Sequence, residues 1–146
     1  MQPETKPHPQ VFEAQVRVRY AETDQMGVVY HSNYIVWFEV GRVELLRELG
    51  FTYRDMEKGD GIHLAVADVH CRFKLPARYD DLLTVRTRLL NVRESLIHFG
   101  YAIVRAGDSK LLAEGESVHL VLNSEFKRTH LPQKYLTPLL KAAGKS

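Results

Sequence analysis

The stretch Ser32–Gly50, "SNYIVWFEVGRVELLRELG", constrains the fold more than any other. Tyr34, Phe38, Gly41, Leu45 and Leu49 recur at helical spacing, flanked by Ile35, Arg42 and Leu46. Ser32 or Asn33 can cap the start, and Gly50 stands where a glycine past the last helical turn belongs. The apolar stripe is wide, as a helix wrapped by a sheet requires. Gly41 inside it costs about 1 kcal/mol relative to alanine, so close backbone packing is expected there.

The rest of the chain reads mostly as strand. Phe12, Ala14, Val16, Val18 and Tyr20 alternate with Glu13, Gln15, Arg17 and Arg19, the pattern of a half-buried strand. A loop from Ala21 to Tyr30 follows, with Gly27 as its flexible point. Residues 52–60 read as a short helical or irregular piece ended by Gly59-Asp60-Gly61. Beyond it, Ile62, Leu64 and Val66 are in one phase and Val69, Cys71, Phe73 and Leu75 in the other. That switch predicts a bulge, or a strand buried on both faces. Further strands are expected at Leu82–Leu90, Leu96–Arg105 and Leu111–Leu122, with turns at Asn91–Glu94 and at "AGDS". Pro132 can open a short terminal helix. The order is one strand, one long helix, then four antiparallel strands. This is an α+β domain over residues 11–140, with a loose arm at 1–10 and a frayed tail at 141–146.

Composition excludes several functions. Twenty basic and 18 acidic side chains leave a net charge of +2, no footprint for nucleic acid. The single cysteine, Cys71, rules out an internal disulfide and a multi-cysteine zinc site. No run approaches the ~20 apolar residues of a membrane span, and the proline-rich first ten residues do not resemble a signal peptide. Cytoplasm is the expected location.

The chemistry concentrates where strand gives way to helix. Asp24 lies in Thr23-Asp24-Gln25-Met26-Gly27, and His31 follows seven residues later at the helix start. Asp24 can be a turn aspartate bonding its own backbone, and His31 a surface histidine. Together they suggest more. A carboxylate upstream of a helix N-terminus can face the volume into which the helix amides point, opposing a nucleophile or base to an oxyanion donor.

Tyr20-x-x-x-Asp24-x-x-Gly27-Val28-Val29-Tyr30-His31-x-x-Tyr34 resembles the motif of hotdog-fold acyl-CoA thioesterases. The resemblance is to the 4-hydroxybenzoyl-CoA thioesterase family and its Tol-Pal-associated bacterial branch. It runs from about Val11 to Pro138 and includes "GRVELLRELG" and "FKLPARYDDLLTV". It implies a curved five-stranded antiparallel sheet around the long helix. It also implies homodimers, commonly paired into tetramers, with active sites shared between subunits. The substrate would be a short-chain or aromatic acyl-CoA, split to a carboxylic acid and free coenzyme A without metal or redox cofactor. Asp24 matches the catalytic carboxylate. His31 matches the position whose backbone N–H polarises the thioester carbonyl, and its side chain is assigned to the site in that branch. Tyr20 matches a tyrosine of the branch and could orient Asp24 or a water. Tyr30, Tyr34, Trp37 and Phe38 could line the acyl pocket. In one branch a basic run between the third and fourth strands meets the coenzyme A phosphates; here Asn91-Val92-Arg93-Glu94 leaves Arg93, opposed by Glu94.

The other histidines point elsewhere. His63 and His70, seven apart on one strand, are expected on opposite faces, unable to share a metal. His98 and His119 read as satisfied sheet histidines, and Asp68 could approach the site. Two other functions use the same frame: a 3-hydroxyacyl-thioester dehydratase, whose motifs are missing here, and a non-catalytic acyl-thioester binding protein, which would not need Asp24.

Overall fold

The computed structural model describes residues 8–145. Five strands form one antiparallel sheet: β1 (Phe12–Arg17), β2 (His63–Phe73), β3 (Leu82–Arg93), β4 (Leu96–Arg105) and β5 (Leu111–Leu122). Their spatial order is β1-β3-β4-β5-β2, so β1 and β2 are the edges. α1 (Ser32–Glu48) lies on the inner face; α2 (Tyr53–Asp60) and α3 (Gln133–Ala142) complete the chain. The α+β architecture expected from sequence is the one observed.

The β1 alternation sorts as expected, with Phe12 and Val18 buried and Glu13, Gln15 and Arg17 exposed. The phase switch in β2 is a bulge: the register against β5 slips between Val66 and Asp68. That slip also corrects the histidine reading. His63 pairs with Leu122 and His70 with Glu116, six residues apart on β5, so the two share a face. They lie roughly 20 Å apart at ~3.3 Å per residue, too far for one metal.

α1 seats against the sheet through Tyr34, Trp37, Phe38, Gly41, Arg42, Leu45 and Leu46, all buried. Burying a side chain such as Phe38 or Leu45, each fully inaccessible, contributes about 1.5–3 kcal/mol. Gly41 marks the closest approach. A Cβ there would lie 2.2 Å from Thr87 Oγ1 and 3.0 Å from Val85 Cγ1 on β3. Phe38 stacks parallel on Tyr101 of β4 at 4.3 Å.

A polar chain crosses this core. Arg42 Nη1 donates to the Tyr101 hydroxyl at 3.2 Å, which lies 2.6 Å from Ser117 Oγ. Ser117 Oγ is 2.8 Å from His119 Nε2. His119 Nδ1, Arg42 Nε and Thr87 Oγ1 have no partner among the described residues. His119 is therefore only half satisfied. Burial, and then the Arg42 charge, push its pKa down to about 3. Burial pushes Tyr101 up to about 12, so both groups are neutral beside the guanidinium.

Three boundaries differ from the sequence reading. His31, not Ser32 or Asn33, is the N-cap of α1, and its side chain makes no capping hydrogen bond. β3 continues to Arg93, because a register slip after Leu89 lets Asn91, Val92 and Arg93 go on pairing with β4. The segment read as a frayed tail is seated instead. α3 runs to Ala142, whose carbonyl accepts from Gln10 N at 2.8 Å, and Ala142 and Ala143 are buried. Lys145 Nζ donates to Asn91 Oδ1 at 2.9 Å. The arm read over residues 1–10 falls, as far as residue 7, outside the described residues.

Candidate active site

The loop between β1 and α1 folds back on itself. A single 3-10 turn, Tyr20–Glu22, leads into it, and bridges join Thr23 to Val29 and Val28 to Arg78. Asp24 N donates to Val28 O at 2.8 Å, and Gly27 N to Asp24 O at 3.0 Å. Gly27 takes φ +79°, which a side chain would strain. Asp24 is half-buried, and its Oδ1 accepts from Met26 N at 2.8 Å. The turn-aspartate reading thus describes one carboxylate oxygen. Oδ2 has no protein partner among the described residues.

The loop delivers the chain to the start of α1. Tyr30 N and Asn33 Nδ2 both donate to Glu22 O, at 2.9 and 3.0 Å, tying loop to helix. Asn33 N reaches back to Tyr30 O and Tyr34 N to His31 O. The amides of His31 and Ser32 have no acceptor among the described residues. Unpaired amides at the positive end of a 17-residue helix form a site for developing negative charge.

Val28, His31, Tyr34, Phe73, Leu75 and Pro76 line a hollow of ≈ 280 Å³ at this helix start, with Lys74 at its edge. Tyr34 is buried against Trp37 and Phe73, and its hydroxyl accepts from Ala77 N at 3.2 Å. Burial pushes the Tyr34 phenol up, so it stays neutral. The hollow is smaller than the roughly 300–1,000 Å³ of a complete small-molecule site. It opens where Phe73 and Leu75, at the end of edge strand β2, are 53% and 43% exposed. On that side the hollow is open.

The structure brings His31 and Tyr34 into the hollow. Tyr30 packs at a tilt against the His31 ring, 4.4 Å between centroids, without lining the hollow, and Asp24 meets the hollow's wall through Val28. Tyr20 is 77% exposed and packs edge-on against Tyr79, outside the hollow. Trp37 and Phe38 are core residues. Arg93 lies eleven residues along β3 from Leu82, roughly 36 Å at ~3.3 Å per residue, at the far end of the sheet. Within one chain it does not meet this site. Asp68, on β2, is exposed and does not line the hollow. Sequence reasoning missed Phe73 and Leu75 as walls. The signal was their phase after the bulge, which sets Phe73 on the α1-facing side of an edge strand. Burial pushes the nearby Cys71 thiol up to about 11, which leaves it protonated and unsuited as a nucleophile.

A family model described as the thioesterase-like superfamily matches residues 18–139. The chain belongs to the thioesterase-like superfamily. It is similar to the Bacillus subtilis protein YneP, whose name proposes an acyl-CoA thioesterase: 40% identity over 115 residues, 79% of this chain and 82% of the relative. It is also similar to the acyl-CoA thioester hydrolase YbgC of Escherichia coli, 34% identical over 106 residues, 73% of this chain and 78% of that one. Among solved structures, the DHNA-CoA thioesterase of Staphylococcus aureus superposes with a TM-score of 0.82 at 32% identity. The match covers 90% of this chain and 87% of that one. The hotdog fold expected from the motif is the fold observed.

Proposed function

We propose that this protein hydrolyses acyl-CoA thioesters to a carboxylic acid and free coenzyme A, using Asp24 and the helix-start amides of α1. The observation that carries the reading is their arrangement. Asp24 offers a free Oδ2 from a loop tied to the wall of the hollow, and that hollow begins at the unpaired amides of His31 and Ser32.

The thioester carbonyl oxygen accepts hydrogen bonds from those amides as charge builds on it. One such preorganised donor contributes roughly 3–4 kcal/mol. Asp24 either takes a proton from a water whose oxygen bonds to the carbonyl carbon, or attacks that carbon itself to give an anhydride that water then opens. On either route the C–S bond breaks and coenzyme A leaves as thiolate, a leaving group that needs no strong acid. The His31 imidazole, beside this carbonyl, is placed to orient the attacking water. Tyr34 and Phe73 hold the acyl group, and an aromatic or short aliphatic chain suits their edge-to-face arrangement.

We infer that a second copy closes the open side of the hollow. The apolar side chains of Phe73, Leu75, Tyr30 and Met26, exposed around the hollow and its loop, are what an interface would cover. The bare β2 edge is a surface for strand pairing. We therefore expect a homodimer with shared sites, and tetramers built from it. Tyr20 and Arg93 contact substrate only if a second subunit carries them to the site.

A thiol-release assay over short aliphatic, long aliphatic and aromatic acyl-CoA esters tests the reading. Turnover is expected for at least one short or aromatic ester. Binding of acyl-CoA with no thiol released from any ester would replace hydrolysis by a carrier or sensor role.

A further inference from the structure

Helix α1 starts without the usual cap. His31 makes no side-chain capping bond, and the amides of His31 and Ser32 have no acceptor among the described residues. An ordinary cap sets a side-chain oxygen on the amides of the first turn and so occupies donors there. A polar side chain of this first turn, Asn33, does the reverse and donates. Its Nδ2 reaches the carbonyl oxygen of Glu22 at 3.0 Å, eleven residues back in the chain and two before Asp24. Among the described residues this is the one side-chain hydrogen bond from α1 to the loop that carries Asp24.

The acceptor is itself held in place. Glu22 is 7% exposed, and its Oε1 accepts from Arg19 N at 2.7 Å, with the Arg19 guanidinium 3.5 Å from Oε2. Thr23 closes the 3-10 turn from the other side, donating through N and Oγ1 to Tyr20 O at 3.1 and 2.7 Å. The Glu22 carbonyl also accepts from Tyr30 N at 2.9 Å, so the start of the loop, its end and the helix meet at one oxygen. Asn33 is half-buried, adjoins Ser32 with its unpaired amide, and does not line the acyl hollow. Its contacts join the two halves of the site without reaching the space for substrate.

We propose that Asn33 is a positioning residue: it holds the loop so that Asp24 Oδ2 and the His31 and Ser32 amides address one carbonyl, and by donating it leaves those amides free. This role rests on the catalytic reading of Asp24 and α1 given above. The site makes two demands on its helix start. The loop needs an anchor, because a misplacement of about 1 Å can cost ~10²-fold in rate. Yet an accepting side chain at that turn would fill the donors that the developing oxyanion needs. A side-chain amide turned back onto a backbone carbonyl meets both demands.

Thiol release from the best acyl-CoA ester tests it, comparing wild type, Asn33→Ala, Asn33→Asp, Asp24→Asn and Asn33→Ala/Asp24→Asn, with circular dichroism confirming each fold. Asn33→Ala is expected to lower kcat roughly 10–100-fold while KM stays within about twofold. Asn33→Asp keeps the shape, and a negative side chain in the first turn favours the helix. It sets acceptor against acceptor at Glu22 O, however, and is expected to melt no lower than Asn33→Ala and to lose at least as much kcat. A helix-capping role alone predicts the reverse, an active aspartate variant. With the Asp24 charge removed there is no base left to align, so Asn33→Ala is expected to slow Asp24→Asn by less than about threefold. The proposal is overturned if folded Asn33→Ala or Asn33→Asp turns over at a near wild-type rate, or if the two losses multiply in the double variant. Either result leaves the catalytic reading standing. Near wild-type turnover by Asp24→Asn alone overturns that reading, and the role of Asn33 with it.

Discussion

Replacing His119 with glutamine is expected to remove about 2 kcal/mol of acid sensitivity between pH 7 and pH 5. His119 is 1% exposed, with Nε2 held by Ser117 Oγ and Nδ1 unpartnered. Burial first, and then the Arg42 guanidinium, depress its pKa from 6.5 to about 3. The folded chain therefore resists a proton that the unfolded chain accepts. Above pH 6.5 neither state is protonated and the full stability is present. As pH falls from 6.5 toward 3, the unfolded state binds one proton more and stability drops by ~1.4 kcal/mol per pH unit. Only part of that window lies between pH 7 and pH 5, which gives about 2 kcal/mol. Urea denaturation of wild type and His119→Gln at the two pH values measures it. The other six histidines are present in both proteins, so the comparison isolates His119. Equal losses of stability in the two proteins would refute the reasoning, and would mean that His119 is not held neutral in the folded core.

Gly41→Ala should destabilise the fold by about 1–3 kcal/mol despite alanine's better helix propensity, because the new methyl meets Thr87 and Val85; a thermal melt at or above wild type would contradict this. His31→Pro should fold, since φ is −55° and the His31 N–H has no partner, yet lose roughly 10²–10³ in kcat, while His31→Ala loses much less. Equal activity of the two in the thiol-release assay would remove the amide from the mechanism. Tyr34→Phe takes away the acceptor of the buried Ala77 N–H and should lower stability by about 1–3 kcal/mol in denaturant titration; an unchanged midpoint would show that this bond carries nothing.

Local periodicity made much of this molecule legible. The β1 alternation, the Gly41 contact and the β2 bulge follow from the spacing of side chains along a single element. The α1 cap was misread because a polar side chain there need not bond the helix: the chain enters through His31 in helical geometry. The Arg42–Tyr101–Ser117–His119 chain joins α1 to two strands far apart in sequence, so no spacing rule reveals it. The seat of Ala142 and Lys145 likewise depends on Gln10 and Asn91, distant partners that composition cannot supply. In the site, Asp24 and His31 stood out because a strand-to-helix turn is local. Phe73 and Leu75 reach the same hollow from β2 across the fold, and Arg93 is separated from it by the length of β3.

The most direct test of the catalytic account is the turnover of Asp24→Asn on the best acyl-CoA substrate. Asparagine keeps an oxygen that can accept from Met26 N, so the loop and the oligomer should persist while the carboxylate charge is lost. The account predicts that acyl-CoA still binds and that kcat falls by at least a hundredfold, roughly 3 kcal/mol of barrier. Hydrolysis by the purified variant at a near wild-type rate would contradict it.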